Sequence, residues 1–247
     1  MLIATFPYKK EAVEFVLSNY DEKAREEVNI EFHKEAGAVA LSLSNLRNAV
    51  NKIIEHPRCS SYEIFIEGKG NFRYDIDPNY KGKRDPNARP IHEMQLRAYL
   101  CKRYQAKLVP DIETDDEVSI RCMEDQTNNV ICSIDKDLWN TPGWHYNFNT
   151  EKASFVSEEE ANLNFYRQIL VGDKSVDNIE GLKGYGKVTA AKLLPESLPI
   201  EEMCAIVWAE YEKKGKDWQF FKDQGQLLWM LRERDVMWEP PLSEGCC

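Results

Sequence analysis

The chain has 247 residues, 43% apolar and 11% aromatic, enough to bury one large core or a main domain with a smaller one. Its 42 acidic and 32 basic residues give a formal net charge of −10, which argues against a general polyanion binder that relies on bulk positive charge. No apolar run approaches the ~20 residues of a membrane span, and the N-terminal segment lacks the features of a signal peptide. Seven scattered cysteines without a CxxC pair predict neither a disulfide framework nor a zinc site, and they favour a reducing cytoplasm.

Hydrophobic patterning predicts alternating strands and helices in the first part of the chain. Strands are predicted at 62–67, 107–109 and 129–134, and helices at 39–55, at 90–104 with Pro90 in the first position, and from about 111, with a weaker helical pattern over 11–27. From about residue 158 to Trp238 the pattern is mostly helical. We therefore predict an α/β domain with a largely parallel sheet over residues 1–160, followed by a smaller α-helical domain over residues 161–247.

Acidic residues gather at four places, several of them at predicted strand ends. They are Glu67; Glu113, Asp115 and Asp116; Asp135 and Asp137; and Asp173 and Asp177. Packed carboxylates raise one another's pKa unless a cation neutralises them, and oxygen ligands without cysteine or histidine suit Mg²⁺ or Mn²⁺. Two such ions about 4 Å apart are the usual device for hydrolysing a phosphodiester bond. Each acidic pair alone is more often a helix cap or a solvated turn, and it is the joint pattern that predicts a metal site.

The spacing within these groups predicts which side chains lie together. On an extended segment Asp135 and Asp137 would point to one side, and on a helix Asp173 and Asp177 would share a face. Asp116 is expected near a helix N-terminus, where the helix dipole favours its ionised form.

Positive charge is concentrated in residues 69–107, where ten basic residues stand against four acids. Here Tyr80 lies beside Lys81, Lys83 and Arg84, a combination in which a base stacks on the ring while the cations meet phosphates. A solvated loop is the alternative interpretation of this segment.

Residues 179–194 contain three glycines, Gly181, Gly184 and Gly186, before a helix that starts near Lys187. The amides of a tight turn and the positive end of a helix form a site for one phosphate. The segment therefore predicts a helix-hairpin-helix type of contact, which holds the nucleic-acid backbone without reading bases. An ordinary turn between two helices is the alternative.

In this order, the motifs resemble the flap endonuclease / 5′-nuclease family, which includes the nuclease domain of bacterial DNA polymerase I. The likeness is closer to the stand-alone 5′–3′ exonucleases of tailed phages. The matching segments are 76–84, 113–116, 133–138, 172–181, the glycine hairpin and 225–227 onward, so the resemblance covers the chain from about residue 62. It implies a PIN-like nuclease domain with a helical arch near residues 78–104, then a helix-three-turn-helix DNA-binding domain.

The resemblance also implies roles for ligands and for single residues. Two Mg²⁺ or Mn²⁺ ions would be held by Glu67, Glu113, Asp115, Asp116, Asp135, Asp137, Asp173 and Asp177. Lys81 and Arg84 would act on the scissile phosphate. DNA contacts are implied for Tyr80, Lys83, Gly181, Gly184, Gly186 and Lys187, with a monovalent cation such as K⁺ at the glycine hairpin.

Two departures from the family pattern weaken this assignment. Glu67 stands where the family usually has Asp, and the Asp-x-Asp that ends the family's first strand has no counterpart. Either Ala4 and Phe6 replace those acids, or Met1 begins just after them, and Met-Leu-Ile favours the second alternative. We therefore expect a chain that lacks this strand, with one ion bound more weakly and cleavage slowed.

The sequence thus predicts a metal-dependent 5′–3′ exonuclease with flap-endonuclease character that uses a two-metal mechanism. Its expected partners are DNA with 5′ ends or flaps and RNA–DNA primer junctions, without a membrane partner. We expect a monomer encoded by a bacteriophage and acting in the host cytoplasm during DNA replication. Two alternatives remain: a branched-DNA-binding protein of the same fold with little or no activity, and an RNA-directed PIN-type nuclease, against which the glycine hairpin argues.

Overall fold

The computed structural model describes residues 16–18, 37–55, 59–85 and 89–243. The predicted loss of the Asp-x-Asp strand, the alternatives at Ala4 and Phe6, and most of the 11–27 pattern lie outside these residues. Within the described part of the chain, no helix is both long enough and apolar enough to cross a membrane.

The elements alternate between strands and helices and then become helical. In chain order they are α1 (Val39–Glu55), β1 (Phe65–Glu67), α2 (Arg73–Ile76), α3 (Glu93–Tyr104), β2 (Lys107–Val109), α4 (Thr114–Glu124), β3 (Val130–Cys132), a 3₁₀ helix (Asp137–Asn140), β4 (Gly143–Asn147), β5 (Lys152–Val156), α5 (Glu158–Val171), α6 (Lys187–Leu193), α7 (Ile200–Lys213) and α8 (Trp218–Leu228). This order confirms the predicted mixed α/β architecture with a helical C-terminal region.

The described strands form two small sheets. β1 and β2 pair in parallel with Phe65 opposite Lys107, and β3 pairs in parallel with β4. β4 and β5 pair antiparallel, with Trp144 opposite Phe155. Helix α4 packs against both β1 and β3 and thereby joins the two sheets.

Several predicted elements have different limits in the structure. The strand predicted from residue 62 begins only at Phe65, where the pairing with β2 starts opposite Lys107, and Tyr62 is 47% exposed. Helix α3 begins at Glu93, whose N–H donates to the carbonyl of Pro90, so Pro90 lies in the preceding turn rather than in the helix. The last helix ends at Leu228 because Trp229 has extended backbone dihedrals.

The largest core lies in the helical region. It is built from aromatic and aliphatic side chains of α5, α7 and α8, including Phe165, Tyr166, Ile169, Val207, Tyr211 and Phe221, all with no exposed surface. Two smaller clusters lie under α4, and Met230 and Leu231, which follow α8, each belong to one of them. The chain after α8 therefore returns to the α/β part. The predicted division at residue 160 falls inside α5 and stays a prediction.

Candidate metal site and nucleic-acid interface

Six of the predicted acids converge from three loops. Glu113 is the N-cap of α4 and Asp115 lies in its first turn; Asp135 and Asp137 follow β3; Asp173 and Asp177 lie in the turn that follows α5. We call Glu113, Asp115, Asp135, Asp137, Asp173 and Asp177 the carboxylate cluster. Shared contacts link most of them: the Tyr80 hydroxyl lies between Glu113 and Asp177, Lys136 lies between Asp137 and Asp173, and the N–H of Asp137 donates to Asp135.

The electrostatics of the cluster are clearest at Asp115. Burial, and then the charges of Asp135 and Glu113, raise the pKa of Asp115 from 3.8 to about 7. Burial and the Asp135 charge also raise the pKa of Asp137, with smaller contributions from Asp173 and Asp177. Carboxylates that repel one another in a partly buried group favour a site where cations bind.

Local backbone geometry differs from the spacing arguments. Asp135 and Asp137 do not lie on an extended segment, because Lys136 between them has helical dihedrals (φ −72°, ψ −23°). The N–H of Asp137 donates to Asp135 Oδ1 at 3.0 Å. Asp173 and Asp177 do not lie on a helix either, since their segment is a turn closed by a bridge between Asp173 and Ile179. Tertiary packing, rather than spacing along an element, brings these side chains together.

Three protein cations lie against the cluster. Lys81 forms an ion pair with Glu113, and Arg84 Nη2 lies 2.7 Å from Asp177 Oδ1. Lys136 Nζ lies 3.9 Å from Asp173 Oδ2 and 4.0 Å from Asp137 Oδ1. The two predicted catalytic cations are thus in the site, whereas the Lys83 ammonium donates to the Lys174 carbonyl at 3.3 Å.

The backbone of Lys81 is held in an uncommon conformation at this place. Its φ is 56°, in the left-handed region, and its N–H donates to the carbonyl of Asp177 at 2.9 Å. The loop that carries the two cations is therefore attached to the Asp177 turn by the backbone as well as by side chains.

Tyr80 occupies a different position from the one its sequence context predicts. The side chain is only 2% exposed, and its ring belongs to the large core. Its hydroxyl lies 3.2 Å from Glu113 Oε2 and 3.1 Å from Asp177 Oδ2, where one O–H is shared between two acceptors. A ring buried this deeply has no free face for a base, so the predicted stacking role is corrected to a bridge between two carboxylates.

Two further predicted ligands stand apart from the cluster. Asp116 is fully buried, and each of its oxygens accepts two hydrogen bonds, from Arg73 and from the N–H groups of Glu113 and Leu231. Its four lone-pair directions are occupied, so it has none left for a metal ion. Glu67 is exposed at the end of β1, and no contact among the described residues links its carboxylate to the cluster.

Several polar residues that organise the site have no role in the sequence-based prediction. Asn71 donates to Glu113 Oε1 at 2.8 Å, Gln168 donates to Asp137 Oδ1 at 2.9 Å, and Arg73 binds Asp116. The position of Lys136 between Asp135 and Asp137 in the sequence could have indicated that it lies at the site. No such indication exists for Arg73, because no pattern in residues 69–107 distinguishes the arginine that becomes buried.

In the glycine hairpin, Gly181 is packed against other backbone, whereas Gly184 and Gly186 border open space. Gly181 packs against Gly172, and its N–H donates to the buried Gln224 side chain at 3.0 Å, so this amide is not free to meet a phosphate. Gly184 (φ 91°) and Gly186 have open space where a Cβ would stand, and Gly186 is the N-cap of α6. The predicted DNA contact of Gly181 is therefore corrected to a packing role, while Gly184 and Gly186 leave the backbone accessible beside the exposed Lys187.

The donor chemistry of the cluster fits a divalent cation, since all donors are carboxylate oxygens. Among the described residues, however, no group of three or more His, Cys, Asp or Glu side chains has the arrangement of a formed metal site. Lys81, Arg84 and Lys136 compensate part of the negative charge instead.

Comparison with known proteins agrees with the architecture. No protein-family model matches the chain. The chain is 28% identical over 198 residues to the DNA polymerase I of Bacillus caldotenax, covering 71% of this chain but only 22% of that protein. It thus spans about a fifth of this relative's length.

Two solved structures share the fold. One is the D15 protein of phage T5, crystallised with metal ions, with a TM-score of 0.54, 16% identity and coverage of 75% of this chain and 82% of that one. The other is a variant of the bacteriophage T5 D15 flap endonuclease in a pseudo-enzyme–product complex with DNA and metal ions, with a TM-score of 0.50, 15% identity and coverage of 76% and 79%. The chain therefore has the PIN-like fold of the flap endonuclease / 5′-nuclease family, as its motifs predict.

Proposed function

We propose that this chain is a divalent-metal-dependent nuclease that hydrolyses phosphodiester bonds at the 5′ ends or flaps of DNA. The observation that carries the proposal is the convergence of the six carboxylates with Lys81 and Arg84. The fold of the flap endonucleases and the identity with a DNA polymerase I support the coarser assignment to the nucleases.

In this proposal the cluster holds one or two Mg²⁺ or Mn²⁺ ions, which when bound lower the pKa of water and stabilise the leaving oxygen. Lys81 and Arg84 place positive charge beside the cluster, where it offsets negative charge that develops on the phosphate. Asp115 would contribute an ionised carboxylate, because the positive charge of a bound cation favours the ionised form. Tyr80 and Asn71 keep the Glu113 carboxylate oriented by donating to its two oxygens.

DNA would be held at two places outside the cluster. The open turn at Gly184 and Gly186 lets a phosphate approach backbone amides, with Lys187 beside it. Lys83, in the loop that carries Lys81 and Arg84, would meet the backbone near the 5′ end. The K⁺ expected at the glycine hairpin and the use of RNA–DNA primer junctions stay predictions within this proposal.

A second candidate function is binding of branched DNA without cleavage. A specific observation favours it: no group of three acidic donors is already arranged for a metal among the described residues, and Glu113 and Asp177 are paired with Lys81 and Arg84. If these ion pairs persist when divalent ions are present, the chain would keep a DNA-binding surface without a working metal site.

One experiment separates the two candidates. The chain is incubated with 5′-flap, recessed-5′-end and RNA-primed duplexes in Mg²⁺ or Mn²⁺, beside an Asp135→Ala/Asp137→Ala variant and an exposed-acid control, Glu212→Ala. Cleavage by the chain and by Glu212→Ala, but not by the double variant, supports the nuclease. Flap binding with no cleavage above the double variant contradicts it and supports the binding protein, and the absence of both contradicts both proposals.

A further inference from the structure

Arg73 in α2 is the largest fully buried side chain that carries a charge among the described residues. Its Nη1 and Nη2 donate to the two oxygens of Asp116 at 2.6 and 2.9 Å. Its Nε donates to the carbonyl of Leu227 at 2.9 Å, and Nη2 also donates to the carbonyl of Trp229 at 2.6 Å. The planar fork of a guanidinium suits this arrangement, which an ammonium cannot reproduce.

Through Asp116, this arginine acts on two members of the cluster. Asp116 is flanked in sequence by Asp115, and its Oδ2 accepts the N–H of Glu113 at 3.1 Å in a capping box. The orientation of Asp116 therefore sets the start of α4, from which Glu113 and Asp115 project. A rotation of Asp116 would leave the Glu113 amide without its acceptor and change the direction of both carboxylates.

The same arginine connects this loop to α8. Leu227 belongs to α8 and Trp229 follows it directly, and the N–H of Leu231 donates to Asp116 Oδ1 at 3.1 Å. One turn earlier in α8, Gln224 accepts the N–H of Gly181, and Gly181 packs against Gly172 at the start of the Asp173–Asp177 turn. Helix α8 thus holds both the loop of Glu113 and Asp115 and the turn of Asp173 and Asp177.

We propose that Arg73 is a positioning residue: it fixes Glu113 and Asp115 through Asp116 and fastens them to the helix that also holds the Asp173–Asp177 turn. The inference rests on the proposed function, because its consequence is that Arg73 sets the affinity of the cluster for divalent ions without contacting them. Partners that orient metal ligands are commonly worth about tenfold to 100-fold in metal affinity.

The test compares Arg73→Lys, which keeps the charge but loses the fork, and Asp116→Asn, which keeps the shape, with Arg167→Lys. Arg167 is a matched control, because its Nε and Nη2 donate to the Leu194 carbonyl and it has no carboxylate partner in the contacts of the described residues. Mn²⁺ binding to the full chain is measured by electron paramagnetic resonance, below the unfolding temperature of each variant. Backbone hydrogen exchange is followed over residues 111–117 and 172–181.

We expect Arg73→Lys and Asp116→Asn each to weaken Mn²⁺ binding by about tenfold or more. The double variant should be no weaker than the singles, because both act through one contact. Exchange over 111–117 should accelerate in both variants and not in Arg167→Lys. Mn²⁺ affinity of Arg73→Lys within about twofold of Arg167→Lys, or additive effects in the double variant, would overturn the proposal.

The proposed function and the role of Arg73 fail in different ways. If the unmodified chain binds no Mn²⁺, the proposed function is contradicted, and exchange over residues 111–117 then decides the inference by itself. Faster exchange there in Arg73→Lys and in Asp116→Asn, and not in the control, upholds the positioning role. Unchanged exchange overturns it. If Arg73→Lys does not fold, the hydrogen exchange of Asp116→Asn, compared with that of Arg167→Lys, decides the inference in the same way.

Discussion

Arg84 and Asp177 form an ion pair with 2.7 Å between Nη2 and Oδ1, although 93 residues separate them in the sequence. Arg84 stands in the loop before α3, and Asp177 lies in the turn after α5. The pair therefore joins the basic loop to the carboxylate cluster at a point where a phosphate would compete for the same cation.

Replacement of Lys81 or Arg84 by alanine should lower the single-turnover cleavage rate of a 5′-flap by about 100-fold each, because each removes a charge that offsets developing negative charge. DNA affinity should change only a few-fold, since both side chains lie at the cluster rather than on the exposed hairpin. Cleavage and binding are measured on the same substrate, with the exposed Lys102→Ala as the control. An equal loss in Lys102→Ala would show that the effect is only general charge.

Tyr80→Phe should separate the two roles considered for this residue. The ring remains in the core and keeps its edge contact with Tyr74, whereas the bridge between Glu113 and Asp177 is lost. We expect about tenfold slower cleavage, unchanged DNA affinity, and a loss of about 1 kcal/mol in unfolding free energy. Denaturant unfolding and flap binding measure these quantities. Weaker DNA binding with an unchanged rate at saturation would instead support a direct DNA contact.

The raised pKa of Asp115 predicts how stability depends on pH in metal-free buffer. Between pH 3.8 and about pH 7, the Asp115 carboxyl binds a proton more strongly in the folded chain than in the unfolded chain. Its contribution to stability therefore falls as the pH rises through this interval. Asp115→Asn should remove this slope and, at pH 8, raise the unfolding free energy by an amount on the order of 2–4 kcal/mol at most.

Urea unfolding at pH 5 and pH 8 measures this effect, with the exposed Glu212→Gln as the control. Addition of Mn²⁺ should reduce the difference between the two proteins, because a cation also relieves the repulsion at Asp115. An Asp115→Asn variant that is less stable than the parent at pH 8 would contradict the prediction.

Gly186→Ala should weaken DNA binding without weakening the fold. Gly186 has an ordinary φ of −109°, and a Cβ there would meet no atom within 4 Å, so the change in unfolding free energy should stay within about 1 kcal/mol. The methyl group would nevertheless obstruct a phosphate that approaches the turn, and we expect about tenfold lower affinity for duplex DNA. Fluorescence anisotropy measures the affinity, with Gly37→Ala, also in open space, as the control. Equal affinities of the two variants would argue for an ordinary turn at the hairpin.

Hydrophobic patterning predicted about half of the elements individually, but it did not predict the strands β4 and β5. The period of residues 39–55 predicts α1 to the residue, and residues 107–109 form the predicted β2. Element limits were less certain where burial depends on distant neighbours. Tyrosine is a residue type common in strands, but Tyr62 is exposed and lies outside β1. The local sequence does not show whether a partner strand lies beside it.

The candidate site, too, was predictable only in part. The four acidic groups and the basic loop are visible as composition. In the structure, contacts through Tyr80 and Lys136 bring acids of three of these groups together beside Lys81 and Arg84. The separate position of Asp116 was not predictable, because it depends on a buried arginine 43 residues away. The burial of Tyr80 depends likewise on the core of α5, α7 and α8.

By itself, the sequence determined which residue types are available: carboxylates near strand ends, cations in one stretch, and glycines before a helix. It also showed that a chain with a net charge of −10 keeps a local excess of positive charge over residues 69–107. Only the tertiary structure decided which carboxylates share a site and which, like Asp116, are fully hydrogen-bonded to other protein groups. The physical reason is that desolvation and hydrogen-bond saturation depend on packing between segments far apart in the chain.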